Sequence, residues 1–363
     1  MTKMHSGSNL IVHSEHPYNA EPSLRALRAC FKTAQGDFYV RSHGNVPALD
    51  GPRHRLAVEG RVSTPLNLSL DDLKARFEEH SVMAVMQCAG NRRADMRTVR
   101  AVSGDPWTAG AIGNATWTGV RLADVLRASG AVENAEWHVA FSSLDECDVD
   151  GKHFTYGASI PMGKALSPEV LLAYAMNGEA LEPKHGYPLR VVVPGYAGVR
   201  SPKWLARIEV RETPSDNPIQ AEDYKLLPPD IHETEAIDWS RGTVINDLPV
   251  NSAICEPDAQ AVLKAGTAVV RGYAMASARG ISRVDVSTDA GRTWSQAILA
   301  DGTDVPWSWT FWHAEIDLAP GERELVVRAW DTAGQTQPAL ADDTWNVKGY
   351  LSAAWHRVHV VVE

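Results

Sequence analysis

The chain has 363 residues, 44% hydrophobic and 22% charged, which is the balance of a folded protein with two or three cores. Its formal charge of −10 opposes non-specific binding to nucleic acid or anionic membranes, but leaves room for a small anion that responds to local field. Four widely spaced cysteines (Cys30, Cys88, Cys147, Cys255) form no CxxC pair, which argues against zinc ribbons, iron–sulfur clusters and a disulfide scaffold.

Residues 1–37 read as polar and irregular, with one short helical run over 24–31. They show no apolar leader, and no stretch of the chain is long and apolar enough to span a membrane. With Met1 as the start, the expected location is the cytoplasm, or the periplasm if a leader has been removed. Phe38-Tyr39-Val40 leads into Arg41-Ser42-His43-Gly44. Residues 55–62 alternate as a strand, and Ser69 with Asp72 makes a capping box that opens a helix. The apolar run 82–88 predicts a buried strand ending in Cys88, followed by a turn through Ala89-Gly90 into Asn91-Arg92-Arg93. Guanidinium groups beside a thiol favour the thiolate, the form that ligates metals or attacks electrophiles. The same window also suits a buried structural cysteine beside a solvated basic turn.

Residues 94–118 lack periodicity and predict a long functional loop. A helix over 120–129 ends at Gly130, a strand covers 137–141 and a polar loop 145–157. A helix over 170–176 stops at Asn177-Gly178, and strands follow at 189–193 and 203–210. The mixture predicts an α+β unit. Further on, strands recur at 268–274, 281–287, 293–299, 309–316, 324–330 and 355–362, as in an immunoglobulin-like sandwich. The expected division is 1–235 and 236–363. Trp294, Trp309, Trp312, Trp330 and Trp345 are assigned to the sandwich core.

Three clusters resemble the Cys88 turn in composition: Arg41-Ser42-His43, His185 with Arg190, and Arg200-Ser201-Pro202-Lys203. Glycines nearby let the backbone approach a ligand, while Arg, Lys and His offer donors to phosphate or other oxyanions. Singly, each could be surface charge capping a strand end. With an activated thiol, they suggest a phosphorylated cofactor and an anionic substrate. Asp223-Tyr224 lies on a polar connector, where the tyrosine could hydrogen-bond a reacting oxygen or merely anchor the linker. Trp107, after Gly104-Asp105-Pro106, suits either core or pocket wall.

The segments FYVRSHG, QCAGNRR, AIGNATWTGVRLADVL, LLAYAMNGE, HGYPLRVVVPGYAGVRSPKWL, EDYKLLPP and WNVKGYLSAAWHRV together resemble the sulfite oxidase family of molybdenum enzymes, from about Tyr18 to the C-terminus. The resemblance implies a mixed α/β molybdenum-cofactor domain (residues 1–235) followed by an all-β immunoglobulin-like dimerisation domain (residues 236–363), and hence a homodimer. It implies molybdenum bound by Cys88 and by the dithiolene of molybdopterin, since soft thiolates suit such an ion. It also implies that Tyr39, Val40, Arg41, Ser42, His43, Asp145, His185, Arg190, Ser201, Pro202 and Lys203 hold the pterin and its phosphate. The substrate pocket maps onto Arg41, Arg93, Trp107 and Tyr224, with Lys348 assisting and Asp223 orienting Tyr224.

Two departures from the family pattern stand out: Lys348 where sulfite-oxidising members carry arginine, and Ser103 in place of a basic residue. Lysine lacks the planar fork that grips an oxyanion bidentately. The implied reaction is oxidation of sulfite to sulfate by oxo transfer. No haem or flavin module is recognised in the chain, so the electrons are expected to reach an external acceptor, a cytochrome or dioxygen. Nitrate reduction, sulfane oxidation and a catalytically silent anion-binding dimer are the alternatives.

Overall fold

The computed structural model describes residues 10–149, 151–232 and 237–363. The expected division at 235/236 falls at residues outside that set.

A hairpin comes first, β1 (Leu10–Glu15) and β2 (Tyr18–Pro22), in a segment expected to be irregular. Two five-stranded sheets then build the first half. One is antiparallel and runs β4 (Glu79–Gln87), β5 (Ile112–Arg121), β8 (Leu171–Met176), with β9 (Arg190–Val192) and Glu179–Ala180 both paired to β8. The other runs Leu66–Leu68, β3 (Leu56–Gly60), β10 (Leu205–Arg211), β6 (His138–Val149), β7 (Lys152–Pro161), with β3 and β10 parallel. Val120, Leu172 and Val191 of the first sheet pack with Val58, Phe141, Ile160 and Ile208 of the second in one fully buried core. The helix Leu70–Arg76 carries the expected box, with Ser69 and Asp72 capping each other's backbone N–H.

Three expectations fail here, for related reasons. Residues 112–118 are not loop but most of β5: its small and threonine residues show no clean alternation because the strand is largely buried between neighbours. Residues 171–176 are strand, not helix. Leucine, alanine and methionine favour helix locally, but pairing with β5 and β9 overrides that propensity. The polar loop expected over 145–157 is the tip of the long β6–β7 hairpin, whose charged residues project outwards at its end. Within that hairpin residues 143–145 bulge opposite Tyr156, and the bulge turns Asp145 inwards to near-complete burial.

The second half is a sandwich. One sheet runs β11 (Asn251–Glu256), β12 (Gly266–Met275), β14 (Thr310–Leu318), Ile298–Leu299. The other runs Val262–Leu263, β16 (His356–Val362), β15 (Gly321–Asp331), β13 (Ile281–Ser287), Ser295–Gln296. Val270, Val284, Trp312, Leu325 and Val360 fill the space between them. Of the five tryptophans assigned to this core, Trp312 alone belongs to it. Trp309 packs with Tyr273 and Phe311 against Leu27, Ile112 and Tyr224 of the first half, and Trp345 lies beside Met96 and Leu227. Trp294 and Trp330 are half-buried around the Arg328 guanidinium, 3.8 and 4.7 Å from it. An aromatic–cation stack satisfies these rings on an outer face, where hydrophobicity alone would call for burial.

The two halves are joined by polar bonds as well as rings. Arg92, fully buried and left-handed at φ 63°, donates to Asn251 Oδ1 (2.8 Å) and Ser252 O (3.2 Å) on β11 and pairs with Asp95 (2.9 Å). Tyr273 Oη donates to Ala109 O at 2.8 Å.

Candidate active site

Strand β4 ends at Gln87, and Cys88 follows in the wall of a cleft whose empty space, open solvent included, is about 640 Å³. The Cys88 backbone N–H is held by Ala111 O (2.9 Å), its carbonyl accepts from Asn91 N (3.0 Å), and the Gly90 N–H points at the sulfur (3.4 Å). Burial raises the thiol above its usual range, and Arg41, Arg93 and the Gly90 N–H offset this only in part. The arginines alone therefore do not produce the thiolate expected from sequence. A bound metal, which displaces the proton, would supply the missing charge. Among the described residues no group of three or more His, Cys, Asp or Glu could hold a metal unaided. Cys88 is thus suited to be one protein donor to an ion whose other donors belong to a cofactor.

All eleven residues expected to hold a pterin line this cavity: Tyr39 to His43, Asp145, His185, Arg190 and Ser201 to Lys203. Arg190 is buried, and its guanidinium donates only to neutral atoms: His185 O (2.8 Å), Ser201 O (3.1 Å) and Met86 Sδ (3.0 Å). Lys203 Nζ donates to Ser42 Oγ (2.7 Å) and Lys184 O (3.0 Å). Neither cation forms an ion pair among the described residues, and burial pushes both below their usual range, Arg190 to about 10. Asp145 offsets part of the Lys203 charge, but no carboxylate among the described residues is paired with Arg190, and a phosphate between the two would relieve the cost of their burial. Asp145 Oδ1 is buried with no partner, an acceptor left over for a ligand N–H. Gly198 lets the chain pass close: a Cβ there would lie 2.8 Å from the Tyr39 hydroxyl.

Arg41 lies at the cavity's rim, and its Nη1 donates to Ser42 O and, at 3.5 Å, to Asn19 Oδ1. Arg93 opens the helical turn Arg93–Met96, its Nε donating to Lys348 O (2.9 Å) and its Nη1 to Asp105 O (3.0 Å). It threads between glycines: a Cβ on Gly90, Gly104 or Gly349 would come within 2.7 Å of its side chain. Arg41 and Arg93 also lack ion pairs among the described residues; Arg93 does not line the cavity itself but acts with Arg41 on the Cys88 sulfur, so cationic side chains gather about one cleft in an acidic protein. Such a cleft attracts anions.

Four expected site residues stand outside the cavity lining: Arg93, described above, and Trp107, Asp223 and Lys348. Trp107 is fully buried behind Cys88, edge-on to His13 at 4.7 Å, with its indole N–H unpartnered. It does not line the cavity wall. Lys348 Nζ is paired with Asp223 Oδ1 at 2.8 Å and lies over Trp239, so its charge is already compensated. Asp223 therefore does not orient Tyr224: the Tyr224 hydroxyl meets His43 Nε2 at 2.8 Å, and its ring stacks on Tyr350 at 4.9 Å. Burial, then Arg41 and Lys203, keep His43 neutral, and burial keeps Tyr224 a phenol. A five-residue π-turn, Ile219–Asp223, delivers Tyr224. Buried Arg200 anchors that turn through Gln220 Oε1 (2.8 Å) and ties it to Ile245 O (2.8 Å).

Sequence reasoning missed Met86, Tyr156, Trp204 and Tyr350 here. Tyr350 was visible in the WNVKGY segment, but nothing local marks an aromatic as a stacking partner for Tyr224.

One soft donor in a cleft lined by buried basic side chains suits an oxidoreductase that works through a molybdopterin cofactor. Residues 43–219 match the oxidoreductase molybdopterin binding domain, and residues 242–363 the Mo-co oxidoreductase dimerisation domain. Sulfite oxidase of Gallus gallus is 43% identical over 357 residues, covering 96% of this chain and 77% of that protein. Mitochondrial sulfite oxidase of Homo sapiens is 42% identical over 363 residues, covering 97% of this chain but 66% of that protein. The crystal structure of the sulfane dehydrogenase SoxCD from Paracoccus pantotrophus superposes with a TM-score of 0.81 at 27% identity, over 99% of this chain and 87% of that one. The chain belongs to the sulfite oxidase family of molybdenum oxidoreductases.

Proposed function

We propose that this enzyme oxidises sulfite to sulfate and that it works as a homodimer. The observation that carries the reading is the buried Cys88 thiol in a cavity lined by Arg41, Arg190 and Lys203, with the Arg93 guanidinium acting on the same sulfur. Cys88 would hold molybdenum. Arg190, Lys203 and His185 would hold the pterin phosphate, and Asp145 would accept from the heterocycle. When bound, the molybdenum cofactor supplies two-electron redox chemistry with oxygen-atom transfer.

The protein's share is binding and orientation. Arg41 and Arg93 draw the dianion to the rim and fix its oxygens, as paired guanidiniums do for tetrahedral oxyanions. The Tyr224 hydroxyl, set by neutral His43, donates to an oxygen of substrate or product. Fully buried Trp107 packs behind Cys88 and helps keep water from that side of the thiol. The two electrons leave to an external acceptor, a cytochrome or dioxygen.

The test is steady-state turnover of molybdenum-loaded enzyme with sulfite, nitrate and thiosulfate side by side, using ferricyanide, a c-type cytochrome and dioxygen as acceptors. A kcat/KM for sulfite at least about a hundredfold above the other two is expected. Preference for nitrate or for a sulfane sulfur would overturn the assignment.

A further inference from the structure

The β1–β2 hairpin lies before the first residue matched by the molybdopterin domain model, and nothing about its polar sequence singles it out. Its packing does. Ala20 and Val40 exchange both backbone hydrogen bonds, at 2.9 and 2.8 Å, so β2 runs as a strand beside the segment that delivers Arg41. That pairing sets Asn19 next to Arg41 and Ser42. Asn19 is 3% exposed and its amide is used at both ends. Oδ1 accepts from Ser42 N (2.9 Å) and Arg41 Nη1 (3.5 Å), while Nδ2 donates to Asp105 Oδ2 (3.0 Å).

Asp105 is the residue whose carbonyl receives Arg93 Nη1 at 3.0 Å. One amide therefore spans the two rim arginines, holding one directly and the other through the Asp105 loop. Glu21, two residues along β2, secures the far end of the same loop. Its fully buried carboxylate accepts from Thr108 N (2.8 Å), Gly110 N (3.1 Å) and His13 Nε2 (2.8 Å). Trp107 is pinned between these two anchor points.

We infer that Asn19 is a positioning residue for oxyanion binding: it sets the separation of the Arg41 and Arg93 guanidiniums through Asp105. The inference rests on the reading that these two arginines receive the substrate's oxygens. A bidentate site loses affinity when its two donors shift relative to each other, even if each remains charged. The effect belongs in ground-state binding, hence in KM more than kcat.

The amide is asymmetric, and this supplies a sharp test. Asn19→Asp keeps the acceptor for Ser42 and Arg41 but sets two carboxylates against each other at Asp105. Adding Asp105→Asn restores a donor–acceptor pair with its direction reversed. Asn19→Leu removes both bonds at nearly constant volume.

In the molybdenum-loaded enzyme, Asn19→Leu and Asn19→Asp should each raise KM for sulfite about tenfold and weaken direct sulfate binding, followed by calorimetry, by the same factor. Metal and pterin content should match the parent, and kcat should stay within about threefold. The Asn19→Asp/Asp105→Asn double variant should return both constants to within about threefold of the parent. Unchanged sulfate affinity in both single variants overturns the inference, as does a double variant no better than Asn19→Asp alone. Sulfate affinity also separates this inference from the assignment of sulfite as substrate. If the parent binds sulfate but does not turn sulfite over, the function reading fails and the Asn19 measurement still decides its own case.

Discussion

The Tyr224 hydroxyl and the His43 ring meet at 2.8 Å, with the imidazole nearly perpendicular to the phenol at 70°. His43 is neutral because burial and two neighbouring cations oppose its protonation, so the pair exchanges a hydrogen bond rather than a charge. The hydroxyl's direction is set through His43, while Asp223 reaches Tyr224 only by way of the stacked Tyr350, whose hydroxyl donates to Asp223 Oδ1 at 3.5 Å.

Removing that hydroxyl while keeping the ring, as in Tyr224→Phe, should lower kcat/KM for sulfite about tenfold to a hundredfold. His43→Gln retains a polar partner and should cost less. Steady-state kinetics on variants matched for molybdenum content checks both. Undiminished kcat/KM in Tyr224→Phe would remove the hydroxyl from the reaction.

Cys88→Ser replaces a soft donor with a hard one of similar size. Turnover should vanish and molybdenum should be lost from the purified protein, while the melting temperature moves by less than about 4 °C. Elemental analysis and calorimetry give the two readouts. Retained metal with normal turnover would mean that another group binds it.

The Asp223–Lys348 pair makes an unusual demand, because it neutralises a further cation on the Tyr350 side of the site. Asp223→Asn should release the Lys348 charge and lower KM for sulfite by about threefold to tenfold at low ionic strength, an advantage that salt erases. Lys348→Arg should change little, since the guanidinium would remain on Asp223. Kinetics across a salt series distinguishes released charge from a local structural change.

His356 packs where the sandwich meets Arg92. Burial, then Arg92, lowers its pKa from the ordinary 6.5 to about 4, and its Nδ1 accepts from Ile254 N at 3.2 Å. A base with a depressed folded pKa leaves stability intact above 6.5. The unfolded chain takes up the extra proton as pH falls, so stability drops between 6.5 and about 4, by up to about 1.4 kcal/mol per pH unit for this one group. Denaturant midpoints measured across that window should show the slope, and His356→Asn should flatten it by one proton. An unaltered slope would place the proton uptake elsewhere.

Much of the cavity could be read from the chain because its parts are short and local. A thiol at the end of an apolar strand, a glycine turn and paired basic residues each announce their chemistry within a few positions. Cys88, His185, Arg190 and Lys203 were found this way. What escaped depends on distance along the chain. Asn19 and Asp105 are 86 residues apart and Lys348 and Asp223 125, and no local pattern records such meetings. The residues of β8 read as helix because their propensity is helical, and the deciding partners lie on β5 and β9. Asp145 is named by the family resemblance alone; its local sequence reads as a polar loop, and the bulge in β6 turns it inwards.

Arg92 and Arg93 are neighbours that both hold the second half, one at Asn251 in the sandwich and the other at the Lys348 carbonyl, while Arg93 also acts on the Cys88 sulfur. Any slip between the two halves is thus felt directly at the Arg93 guanidinium beside Cys88. Heat or denaturant that loosens the junction should silence the enzyme before either half melts, making activity the most sensitive gauge of whether the molecule is still assembled.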